Sequence, residues 1–316
     1  MKKAKHRMST SLAIALALLL MLSVSACGGG NGDGSGGGNG SSPAAQQPVG
    51  DTPGQSSQPA SPEQQPQQTQ QPTTASEAQP PEPVEIIVFA AASMTETLTE
   101  ISNIYKAAAP HVTLVFNFDS SGTLKTQIEE GAVCDVFISA APRQMNELEE
   151  IDLILKDTRI NLLENKVALV VPPNNPKDIT GFESLVEALL GGNILMAMGN
   201  SDVPVGQYTQ RILDFFDLDE SALARSGVLT YGSNVKEVTT QVTEASVDCG
   251  IVYATDAFSA KLDIVGYATA EMCGQVIYPI SVLKGSANAE AARAFLDYLK
   301  TRPAMEVFEN VGFSAA

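Results

Sequence analysis

The sequence predicts an α/β protein of two lobes, each built on a mostly parallel sheet. Three observations carry this. From residue 84 onward, short apolar or β-branched strands alternate with amphipathic helices. Alternation of that kind implies parallel strands covered by helices on both faces. The alternation runs in two sets, divided by the apolar run "KVALVVPP" (166–173) and rejoined by "QVIYPISVL" (275–283). Everything before residue 84 reads as leader and tether.

The stretch "MKKAKHRMSTSLAIALALLLMLSVSAC" has a basic start (Lys2, Lys3, Lys5, Arg7) and an apolar core from Leu12 to Leu22. That core is shorter than the roughly 20 residues of a membrane-spanning helix and fits an export signal, residues 1–26. It closes on Val24-Ser25-Ala26-Cys27, which resembles a bacterial lipobox. The resemblance implies cleavage before Cys27, lipidation of that cysteine and an extracytoplasmic, membrane-anchored product. Cleavage removes four basic residues and takes the net charge from −17 to −21. Such acidity argues against nucleic acid and against direct adhesion to anionic lipid. Residues 27–83 are Gly/Asn/Ser-rich, then Pro/Gln/Ser/Thr-rich, with too few apolar side chains to bury. They predict a disordered leash of roughly 40 Å r.m.s. span.

The first set reads strand (85–90), helix (Thr95 to Ala108), strand (111–118), helix (121–131, ended by Gly131), strand (134–140) and helix (141–151, with Pro142 in its first turn). After the 166–173 run come a strand (193–198), a helix (Gly206 to Phe216), a strand (227–231), a helix (Val235 to Ala245) and a strand (249–254). Two helices close the chain, separated near Thr301-Arg302-Pro303. The expected division is 84–165 plus 280–316 for one lobe and 166–279 for the other. Beyond Cys27 there are three cysteines, Cys134, Cys249 and Cys273, with no CxxC spacing and no accompanying histidine ligands. One disulfide, Cys249–Cys273, and three buried thiols are both open. His111, the one histidine after the leader, follows a proline before a strand and reads as a turn residue, not a catalytic base.

Ligands of open α/β sheets sit beyond the carboxyl ends of strands, where helix N-termini present unpaired N–H groups and partial positive charge. Ser93 stands at such a junction, although serine there is also an ordinary helix cap. "FDSSGTLKTQIEEG" repeats the layout with Ser120, Ser121 and Gly122. Two such ends on one parallel sheet converge on one edge. In the second set, Pro204-Val205-Gly206 starts a helix, leaving the Val205 and Gly206 N–H groups free to donate. Asn234 is a candidate cap that exposes the Val235 N–H. Tyr253 ends a strand with a hydroxyl donor.

The blocks "VFAAASMTETL", "SSGTLKTQIEEGAVCDVFISAAP", "VPVGQY" and "CGIVYATDA", in this order, resemble the molybdate-binding proteins of ABC importers over essentially all of 84–316. The resemblance implies a type II periplasmic-binding-protein fold, two crossing hinge segments, and lobes that close over a tetrahedral oxyanion. It places the ligand on Ser93, Ser121, Val205, Val235 and Tyr253, with molybdate or tungstate touched through its oxygens and neither a metal ligand nor a cofactor in the protein. It further implies an ABC permease as partner and a monomer, not an enzyme. The residues leave other readings: a binder of sulfate or thiosulfate, or a tethered sensor or adhesin. An esterase-like enzyme is disfavoured, since no G-x-S-x-G elbow and no histidine base accompany the serines.

Overall fold

The computed structural model describes residues 81–316; the leader, Cys27 and residues 28–80 of the tether lie outside the described residues. The chain opens with β1 (Val84–Ala91), a short 3₁₀ turn (Ala92–Met94), α1 (Thr95–Ala108), β2 (Val112–Asp119), α2 (Ser121–Glu129), β3 (Val136–Ile138), α3 (Pro142–Glu150) and β4 (Ile160–Asn165). It continues through β5 (Val167–Val171), α4 (Phe182–Gly191), β6 (Met196–Gly199), α5 (Pro204–Phe215), α6 (Glu220–Ser226), β7 (Leu229–Gly232), α7 (Val235–Thr243), β8 (Cys249–Tyr253), α8 (Ala254–Ala260), β9 (Asp263–Tyr267) and α9 (Ala270–Cys273). Then come β10 (Val276–Val282), α10 (Ala289–Leu299), α11 (Arg302–Asn310) and a two-residue β11 (Ser314–Ala315).

These strands form two sheets, ordered β11-β4-β10-β3-β1-β2 and β7-β6-β8-β5-β9. The sheets are mixed, not mostly parallel. β1 pairs in parallel with β2 and β3, and β6 with β7 and β8, as strand-helix-strand crossovers require. The strands beside the crossings, β4, β5 and β10, pair antiparallel with their neighbours. The chain changes sheet at Lys166 and returns before Val276. β10 belongs to the first sheet along its whole length, so the return precedes the residue 280 expected from the sequence.

The first sheet buries Ile86, Val88, Val136 and Ile138 with α1 residues Leu98, Ile101 and Tyr105. The apolar spacing of α1 supplies that stripe, and the Phe295 ring of α10 packs tilted against Tyr105 at 5.2 Å between ring centres. In the second sheet β5 is buried at all five positions, which explains its unbroken apolar run. Cys134, Cys249 and Cys273 are all buried and unpaired. No Cys249–Cys273 bridge forms: Cys249 is fully enclosed at the start of β8, and the Cys273 thiol turns to the Thr269 and Gly274 carbonyls. Burial pushes the Cys134 thiol up to about 12.

Candidate functional site

β1 and β2 run side by side in the same direction, so α1 and α2 begin at the same sheet edge. At the first junction Ser93 is no cap. Met94 occupies the N-cap position, and the Ser93 hydroxyl lies 2.9 Å from Tyr278 Oη across the sheet. At the second junction the two serines divide the work. Ser120 caps α2, accepting from the Thr123 N–H at 3.1 Å. Ser121 is thereby released from capping, and its Oγ accepts from the Ala140 N–H at 2.9 Å. Since that bond occupies a lone pair, the Ser121 proton remains available to donate.

On the second sheet, Pro204 takes the first position of α5, and Val205 follows with an N–H that has no partner inside the helix. Gly206 lets this end of α5 approach β6: a Cβ there would lie 2.2 Å from the Asn200 carbonyl oxygen. Asn234 caps α7 by accepting from the Glu237 N–H at 3.1 Å, which leaves Val235 first in the helix with a free N–H. Tyr253 ends β8. Its ring is held edge-on against Tyr208 and Tyr278, and its hydroxyl is buried with no hydrogen-bond partner among the described residues.

Ser93, Ser121, Val205, Val235 and Tyr253 all line one cavity between the two sheets, with Asp119, Ser120, Ala140 and Pro204 also in its wall. The space open to the centre of a water-sized group is only about 10 Å³, so the cavity suits a compact group. Burial holds the Tyr253 and Tyr278 phenols well above their ordinary range, and both stay protonated donors. Asp119 is the one charged residue of the wall. Its Oδ1 is turned to the Ser120 N–H at 2.7 Å and to Asn234 Nδ2, on the opposite unit, at 3.2 Å. A second contact across the gap joins Lys236 of α7 to Glu96 of α1 at 2.8 Å, with buried Asp256 of α8 3.1 Å from the same ammonium. Burial pushes the Asp256 carboxyl up to about 6, although Lys236 pulls the other way.

The motifs did not point to Tyr278, Asn165, Ala140 or Asp119. Tyr278 lies in the "QVIYPISVL" strand, where an aromatic residue within an apolar run reads as packing. Asn165 ends the run "INLLEN", whose Asn161, Glu164 and Asn165 mask a strand.

Residues 86–314 match the family model for "Bacterial extracellular solute-binding protein". The chain is 37% identical over 235 residues to the molybdate-binding protein ModA of Haemophilus influenzae, covering 73% of this chain and 90% of that protein. To ModA of Escherichia coli it is 34% identical over 233 residues, covering 73% and 89%. The periplasmic molybdate-binding protein of Azotobacter vinelandii shares the fold, with a TM-score of 0.65 at 19% identity, over 73% of this chain and 99% of that one. With two α/β units joined by two crossings, and with these matches, the chain belongs to the bacterial extracellular solute-binding proteins of type II fold, the family that includes the ModA proteins.

Proposed function

We propose that the cavity captures molybdate, and tungstate with it, for delivery to the permease of an ABC importer. The observation that carries this reading is the convergence of five neutral donors from separate motifs on one small cavity, with the Tyr253 hydroxyl otherwise unpartnered. Such a hydroxyl costs roughly 1–3 kcal/mol in isolation and is recovered when an anion accepts its proton. Five charge-assisted bonds of about 1.5–3 kcal/mol each give roughly 8–15 kcal/mol gross. Closure and lost ligand freedom take back at least about 4 kcal/mol, leaving at most about 4–11 kcal/mol, which spans millimolar to about ten-nanomolar binding.

Five donors, with Asp119 Oδ1 of the wall already engaged by the Ser120 N–H and Asn234, also select. Molybdate and tungstate are fully deprotonated near neutral pH. Hydrogen phosphate brings an O–H that would face another donor, at the cost of a buried unpaired proton. The cavity's size disfavours organic acids and sugars. It favours, as a second reading, the smaller sulfate or thiosulfate.

The reading is of a binder, not an enzyme. The Ser93 hydroxyl faces a tyrosine and the Ser121 hydroxyl a backbone N–H, so neither is set against a general base. With the leader and Cys27 read as a lipid anchor, the tether would let the folded part reach the permease as a monomer.

Calorimetric titration of the full chain with molybdate, tungstate, sulfate and phosphate tests the proposal, with Ser121→Ala alongside. Tight binding of the first two, weakened at least about tenfold in the variant, is expected. Sulfate binding tighter than molybdate establishes the second reading; binding of none of the four overturns both.

A further inference from the structure

We propose that Tyr278 is a specificity-determining residue: held by Asn165, it donates to Ser93 and so turns the Ser93 proton away from itself and toward the cavity. The inference rests on the oxyanion reading above and names the device that enforces its selectivity.

The argument follows one chain of hydrogen bonds. Asn165 Oδ1 accepts from the Lys166 N–H at 2.8 Å, which fixes the amide. Its Nδ2 therefore faces the interior and donates to Thr255 Oγ1 at 2.9 Å and to Tyr278 Oη at 3.3 Å. Having accepted there, the Tyr278 hydroxyl spends its single proton on Ser93 Oγ, 2.9 Å away. Ser93 then keeps one proton of its own, and Ser93 lines the cavity. Without Tyr278 the Ser93 hydroxyl could rotate and offer a lone pair instead, which is the acceptor that a protonated oxyanion needs. Ser121 accepts in the same way from the Ala140 N–H, a backbone group that only proline would remove. Tyr278 is therefore the mutable half of the arrangement. All three members of the chain are buried, Ser93 at 5%, Asn165 at 8% and Tyr278 at 0% exposure, so water does not substitute for them.

Tyr278→Phe keeps the ring that packs on Tyr253 and Phe313 and removes only the hydroxyl. The test titrates the full chain and its variants with molybdate and with phosphate at mildly alkaline pH, where both are dianions and their overall charge cancels in the ratio. Wild type is expected to prefer molybdate strongly. In Tyr278→Phe that preference falls at least about tenfold, through weaker molybdate and unchanged or tighter phosphate binding. Combined with Ser93→Ala, the tyrosine change adds nothing further. Asn165→Asp is the second variant, should Tyr278→Phe fold poorly. Its acceptor oxygen draws the Tyr278 proton away from Ser93 and shifts the ratio the same way. Equal weakening of both anions in Tyr278→Phe, or no change in either, overturns the proposal and leaves the oxyanion reading standing. So does a ratio that moves in Asp119→Asn but not in Tyr278→Phe, since Asp119 is the one carboxylate of the wall. Wild type that binds phosphate as well as molybdate overturns the proposal alone; wild type that binds none of molybdate, sulfate and phosphate overturns the oxyanion reading and the proposal with it.

Discussion

Gly122 and Asp202 meet across the gap between the two sheet units: a Cβ on Gly122 would lie 2.2 Å from the Asp202 carbonyl oxygen. Gly122 is the second residue of α2, and Asp202 stands in the loop before α5. The absence of a side chain at 122 is what allows the two backbones to touch. Gly122→Ala should therefore act as a wedge, with an overpacking cost of about 1–3 kcal/mol on the closed arrangement alone. Molybdate affinity is expected to fall roughly 5- to 150-fold, which calorimetry reads. The melting temperature of the ligand-free protein should hardly move, because the units relieve the clash by parting.

Tyr253→Phe should separate stability from binding. The buried hydroxyl has no partner among the described residues, so its removal is expected to stabilise the ligand-free protein by about 1 kcal/mol. The same change deletes a donor from the cavity and should weaken molybdate binding about tenfold or more. Urea unfolding and calorimetry on one preparation check both halves. A destabilised variant would show that the hydroxyl has a native partner.

Lys236→Met should be destabilising in a pH-dependent way. Lys236 is the cation beside buried Asp256, and removing it leaves that carboxylate unpaired, at a cost of about 3 kcal/mol near neutral pH. Burial raises the folded-state pKa of Asp256 to about 6, above its ordinary value. The folded state thus holds the proton longer than the unfolded one. The carboxyl's contribution to stability is most favourable at acid pH and is lost as pH rises through the window up to about 6. The loss caused by Lys236→Met should accordingly shrink when unfolding is measured at about pH 5 instead of 7.5. A loss independent of pH would assign the effect to packing.

The thiols of Cys134, Cys249 and Cys273 should resist alkylation in the folded protein and react after unfolding. All three are buried, and burial raises each thiol above its ordinary value. Mass spectrometry after iodoacetamide treatment, with and without denaturant, reads this directly. A Cys249–Cys273 bridge would show as two thiols that react only after reduction.

The fold was legible where the signal is local. Strand runs such as 134–140 and 249–254, and helices such as Thr95 to Ala108, carry their periodicity in a few consecutive residues. The five cavity residues could be found for the same reason, since each stands at a strand-to-helix junction. What could not be read is what depends on distant pairs. Ser93 and Tyr278 are separated by 185 positions, and neither has a neighbour that announces the other. The roles of Ser120 and Ser121 needed coordinates as well, because two adjacent serines offer the same chemistry and only geometry shows which one caps. β4 escapes a reading by pattern because its run is short and broken by Asn161, Glu164 and Asn165. α4 was missed because Gly181, Gly191 and Gly192 crowd its ends.

Two connectors, at Lys166 and just before Val276, are the covalent links between the sheets. Two fixed points define a line, so the freedom left to the units is mainly rotation about it. Displacement in a rotation grows with distance from the axis. Asn165 and Tyr278 stand beside the connectors, close to the fulcrum, whereas Gly122 of α2 and Asp202 before α5 are far from both connectors in the chain. A turn wide enough to part that outer pair moves the inner pair very little. On the capture reading, the molecule would open like a book whose spine is already set, with the Tyr278–Ser93 pair in place before any solute arrives.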